Sequence, residues 1–279
     1  MIQDLAPLAA APPPRLQRAF GAGRLTVAVD GGRTRLDRLR QDGCAKIRLP
    51  RDAAARGLEA VLLNTAGGLT GGDVLDWRIE AGANADLCVA TQACEKVYRA
   101  RDGVARTSVA LSLGEGASLA WLPQEAILFD GAALRRRLDA DLAAGARLLA
   151  VEAAILGRTA MGETVRRGEF RDRWRIRREG RLVFADDLAL SGPVSQIADL
   201  PPLLGGGRAF ATLLLVAADA ERRLAPLRRI IGPAGGASAF DGKLVCRLVA
   251  ADGLALRRAL LPAIEALRDG APLPRVWRI

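Results

Sequence analysis

RIEAGANADLCVATQA, residues 78–93, is the stretch whose reading decides the fold. Apolar residues alternate with polar ones up to Ala81, a Gly82-Ala83 turn follows, and alternation resumes at Leu87. A period of two on both sides of a glycine turn describes strand–turn–strand. The same shape returns in ALSLGEGASLAWLPQE (110–125) and LDADLAAGARLLAVEA (138–153). Their Gly-Ala pairs begin at Gly82, Gly116 and Gly145, roughly 30 residues apart, a spacing typical of stacked units. Alone, the third segment reads equally as a helix, because Ala and Leu favour helices. Its likeness to the other two decides for strand.

Such repeats point to a β-solenoid or to layered sheets, with spacing too uneven for a strict solenoid. A fourth hairpin is expected at WRIRREGRLVFAD (174–186) around Glu179-Gly180, and a late strand at 243–251. Two helices are expected. One covers 219–231 and is kinked or ended by Pro226; the other covers 256–270, closes on Gly270 and has a boundary at Pro262. The fold class is therefore mainly β, in layered or β-helix-like strand–turn–strand repeats with about two α-helices. It forms a single domain over 24–279, after a flexible N-terminal arm, 1–23, that contains Pro12-Pro13-Pro14.

Composition narrows the function. The 279 residues contain no histidine, which removes Ser-His-Asp catalysis and every His-bearing metal site. The net charge of +10 is carried almost wholly by arginine, since only Lys46, Lys96 and Lys243 are lysine. That charge favours an acidic protein partner or nucleic acid. No aromatic stacking platform, helix-turn-helix pattern or zinc knuckle supports nucleic acid. The cysteines, at 44, 88, 94 and 246, form no CxxC and read as reduced thiols. The N-terminus has no signal-peptide core, and no charge-free apolar stretch is long enough for a membrane span. A cytoplasmic location is expected.

Four polar stretches stand out. LLNTAGGLTGGD (62–73) raises the possibility of a phosphate loop at 67–72, but Asp73 and Asp76 follow and the chain then alternates like a strand. Turns at the start of a strand explain the glycines and leave Asp73 unexplained. ATQACEKVYRA (90–100) presents Gln92, Lys96 and Tyr98, which a solvated strand face also accounts for. WLPQEAILFDGA (121–132) has turn chemistry at Pro123 and Asp130-Gly131 that does not require Glu125. In VEAAILGRTAMGE (151–163), Glu152, Arg158 and Glu163 lie among small apolar residues, where charges are usually paired.

Taken in order, GGLTGGD, TQACEKVYR, LPQEAILFDGA, LGRTAMGE and the terminal LPRVWR resemble the urease accessory protein UreD (UreH) family. TRLDRLRQDGCAKIRLPR (34–51) is similar to that family's opening, and the resemblance runs from about Thr34 to Trp277. It implies a β-helix-like, non-enzymatic scaffold chaperone, acting with UreF and the GTPase UreG on apo-urease during nickel insertion. It also implies an internal path for nickel in transit, with no tightly bound cofactor. Matching the motifs places Asp73, Glu125, Glu152 and Glu163 on that path. Carboxylates are hard ligands suited to passing nickel on rather than storing it. The alternative is a nucleotide-binding enzyme built on the 67–72 loop; a third reading is an interaction module with no metal role.

Overall fold

Two stacked sheets arise because each repeat crosses from one sheet to the other. The computed structural model describes residues 17–50, 57–158 and 161–278. Of the expected arm, residues 1–16 lie outside the described residues, and residues 20–23 belong to the first strand. The first sheet contains β1 (Phe20–Asp30), β2 (Arg33–Gly43), β5 (Val74–Ala81), β8 (Ala105–Leu113), β11 (Ala133–Leu142), β13 (Gly168–Arg178) and β14 (Arg181–Gly192). Its order is β14-β13-β11-β8-β5-β1-β2. The second contains β3 (Ala45–Arg48), β4 (Leu58–Asn64), β6 (Asp86–Thr91), β9 (Ser118–Leu122), β12 (Arg147–Leu156), β15 (Ala209–Val216), β16 (Gly235–Phe240) and β17 (Lys243–Ala250). Its order is β16-β17-β15-β12-β9-β6-β4-β3, extended by the short β7 (Glu95–Val97) and β10 (Ala126–Leu128) beside β12.

The three repeats are arches, not hairpins. β5 pairs in parallel with β1 and β8, whereas β6 pairs in parallel with β4 and β9. β8 to β9 and β11 to β12 cross between the sheets in the same way. Equivalent strands then stack in parallel, which requires a long connection rather than a tight turn. The register also corrects the glycine alignment. Ala81 pairs with Leu113 and Leu113 with Leu142, so Gly116 and Gly145 stack on Asn84 rather than on Gly82. All three adopt a left-handed backbone, at φ 58°, 65° and 68°. Asn tolerates that region, so one arch position is served by either residue. The hairpin at 174–186 is a true one: Glu179 and Gly180 both have positive φ between the paired β13 and β14.

The inward faces form the main core, with Leu25, Ile79, Leu111, Leu138 and Trp174 facing Leu87, Leu119, Leu148 and Leu214. A second core lies behind the second sheet, under α2 (Leu224–Ile231) and α3 (Gly253–Leu267). β15 is therefore buried on both faces, which explains its run AFATLLLV, apolar but for the buried Thr212. Among the described residues no helix covers the outer face of the first sheet, and β11 there alternates buried with exposed.

Among the described residues there are three α-helices, in keeping with about two expected; α1 (Val194–Asp199) is only six residues long, too short to show a helical period. Pro226 is the third residue of α2, where its missing N–H has no intrahelical partner to lose. Pro262 marks no boundary. α3 runs through it, held by burial of Leu256, Leu260, Ala263, Ile264 and Leu267. None of the described helices is long and apolar enough to cross a membrane.

Candidate functional site

Four of the motifs occupy one structural place. The segments after β4, β6, β9 and β12 are successive versions of the return from the second sheet to the first. They stack at one end of the sandwich: Leu69 bridges Val97, and Val97, Leu128 and Leu156 lie in register. All four leucine and valine side chains are buried.

The glycine motif serves this stacking. Gly67, Gly68 and Gly72 have φ of 79°, 145° and 88°. A Cβ on Gly68 would lie 2.4 Å from the Tyr98 ring, and one on Gly71 would lie 2.1 Å from the Asp102 carbonyl oxygen. Glycine is needed because the next coil touches the backbone. β5 follows the loop, where a phosphate site needs a helix N-terminus. Asp73 is 4% exposed and occupied by its own chain, accepting hydrogen bonds from the N–H of Ala19 and Thr70, each at 2.8 Å. It thereby fixes the start of β1 within the segment expected to be a free arm.

Glu152 stands elsewhere, between the sheets. On β12 it faces Arg136 of β11, whose Nη1 lies 2.5 Å away, while Trp121 donates to it at 2.9 Å. Arg136 also donates to Asp172 of β13 at 2.6 Å. One guanidinium thus serves two buried carboxylates, and Arg136 Nε and Asp172 Oδ1 have no hydrogen-bond partner among the described residues. Burial raises the Glu152 carboxyl to about 7; Arg136 opposes the rise and Asp172 adds to it. Burial also works against the charge on Arg136, but Asp172 and Glu152 outweigh it and raise its pKa.

Glu125 faces the opposite side of the second sheet. It is fully buried and clamped by Arg257 of α3, with Nε and Nη2 at 2.8 and 2.9 Å. Burial would raise its carboxyl, but the Arg257 hydrogen bonds and charge hold it below the usual range. Cys94 donates to the same carboxylate at 3.3 Å; burial and Glu125 push its thiol up to about 12, which leaves it unreactive. The terminal motif locks this corner, because Trp277 donates to the Leu122 carbonyl and Gln124 to that of Val276.

Glu163 pairs with Arg158 at 2.8 Å near the surface, and Arg158 covers the Phe129 ring. Gln92 and Lys96 are exposed, as a solvated face requires, whereas Tyr98 donates to the Gly67 carbonyl and packs edge-on against Phe129. The structure thus does not bring the four candidate carboxylates together: they occupy four separate surroundings. It adds residues that the pattern did not single out. Glu95 receives a hydrogen bond from Asn64 at 3.1 Å. Burial raises its carboxyl to about 7, the Asn64 bond lowers it, and the charge of Asp73 adds to the rise. Arg136 and Asp172 were hidden in a charge-rich alternation, where inward and outward arginines look alike. Among the described residues no group of three or more His, Cys, Asp or Glu is assembled to hold a metal ion.

The layered β coil thus holds its candidate carboxylates in separate surroundings, and its glycine loop cradles only its own backbone. The chain belongs to the UreD urease accessory protein family, whose model matches residues 20–278. It is 54% identical over 267 residues to the urease accessory protein UreD of Agrobacterium fabrum (strain C58 / ATCC 33970), covering 96% of this chain and 94% of that protein. The UreD proteins of Rhizobium leguminosarum bv. viciae and bv. trifolii (strain WSM2304) are 55% and 56% identical, covering 95% of this chain and 97% of each. The protein is accordingly involved in urease maturation.

Proposed function

We propose that this protein is a non-enzymatic, cytoplasmic scaffold chaperone that works with UreF and the GTPase UreG while nickel is inserted into apo-urease. Nickel is cargo in this role, held in passing. The observation that carries the proposal is the sharing of Arg136 by Glu152 and Asp172 between the sheets. With both acids ionised, the trio has one negative charge in excess, which attracts a divalent ion. Because burial disfavours that charge, the ion is held weakly and released readily. At the loop end the charge of Asp73 adds to the rise of the Glu95 carboxyl, after burial as the main cause. Asp73 serves an ion only if it releases Ala19 and Thr70. Glu125 and Glu163 serve one only if Arg257 and Arg158 move away.

Deleting the gene from a urease-positive cell tests the role directly. The expected result is an inactive urease apoprotein that surplus nickel partly rescues. Fully active urease at limiting nickel in the deleted strain would remove the proposal.

A further inference from the structure

The outer face of the first sheet carries arginines in rows that the fold does not explain. β8, β11 and β13 run parallel, and their register sets Arg106 beside Arg135 and Arg135 beside Arg171. Two residues further on, Arg137 lies beside Arg173. All five side chains are exposed. Neighbouring strands are about 4.8 Å apart, and like charges opposite one another destabilise a sheet. Acids compensate in part: Glu169 lies 2.7 Å from Arg135 and 3.5 Å from Arg171, and Asp139 pairs with Arg137. Arg106 and Arg173 make no ion pair among the described residues. The rows line a groove of about 1140 Å³.

We infer that this groove is a docking surface for the acidic surface of a protein partner, with carboxylates set over the arginine rows. An acidic helix laid across the strands fits the spacing: its carboxylates recur about every 5.4 Å along the axis, close to the strand separation. Guanidinium groups bind carboxylates in bidentate pairs, so a row of them also sets orientation. Nucleic acid fits less well, because among the described residues Phe20 is the sole aromatic lining the groove, too few to stack bases. A second copy of the chain would set arginine against arginine. The N-terminal residues 1–16 hold a single acid, Asp4, and cannot neutralise the face.

The choice of apo-urease as the partner rests on the maturation role proposed above. The test uses the immobilised full chain, with UreF supplied, to capture purified apo-urease at low and high salt. R106E/R173E reverses two charges without breaking an ion pair among the described residues. R229E/R258E makes the same net change on the exposed helix side, behind the second sheet. Thermal unfolding confirms that both variants are folded. At low salt R106E/R173E should weaken capture roughly tenfold and flatten its salt dependence, with R229E/R258E changing it less than about twofold. Equal effects from both pairs, or no effect from R106E/R173E, would overturn the docking surface and leave the maturation role standing. Loss of DNA-duplex binding in R106E/R173E with urease capture intact would overturn it in favour of nucleic acid. Failure of the unaltered chain to capture apo-urease would instead count against the maturation role.

Discussion

Arg136 and Glu152 meet across the two sheets, Nη1 to Oε2 at 2.5 Å, with side chains 7% and 3% exposed. They are the pair around which the interior charge is arranged. Arg136→Met would leave Glu152 and Asp172 buried together without a cation. Breaking a buried pair from one side costs about 3–5 kcal/mol. Urea unfolding should show a loss of that size at neutral pH and a smaller loss under mildly acidic conditions, where the stranded Glu152 is protonated. An unchanged midpoint would mean that water reaches the trio.

Glu152→Gln keeps an acceptor for Trp121 and removes the charge. Urease activation should fall at limiting nickel and recover with surplus nickel, while thermal stability is not lowered. Equal activation at every nickel concentration would separate Glu152 from the metal path.

Glu95 has a folded-state pKa of about 7, above its ordinary 4.5, so the native state holds its proton more tightly than the unfolded chain. Its stabilising contribution is complete below about 4.5 and is lost as pH rises through about 7. Glu95→Gln fixes the neutral form. Its stability relative to the parent should therefore climb through that window, by about 3 kcal/mol above neutrality. A flat difference across pH would refute the burial of this acid.

The glycine loop should fail by sterics, not by loss of a ligand. Gly68→Ala places a Cβ against Tyr98 at a φ of 145° and should cost more than about 2 kcal/mol. Gly67→Ala faces open space at φ 79° and should cost about 1 kcal/mol. Calorimetric titration of GTP or ATP into the full chain should give no binding heat. A saturable signal abolished by Gly68→Ala would revive the nucleotide loop.

Much of this protein was legible locally. Alternation around the arches fixed the strands, Glu179-Gly180 fixed the β13–β14 hairpin, and the absence of histidine limited the chemistry. These follow from period, backbone sterics and residue type, all short-range properties of the chain. What required the tertiary structure was partnership. Strand–turn–strand reads alike as hairpin or arch, because the turn alone does not say which neighbour completes each hydrogen-bond ladder. Parallel stacking of the coils decided that, and with it the alignment of Gly116 with Asn84. Charge behaved in the same way. The sequence marked Glu152 and Glu163 as acids in need of cations and left Glu125 with no turn role, but Arg257 lies 132 residues from Glu125, and Arg136 reaches Glu152 only across the sandwich. Burial makes the partner obligatory, and only folding chooses it.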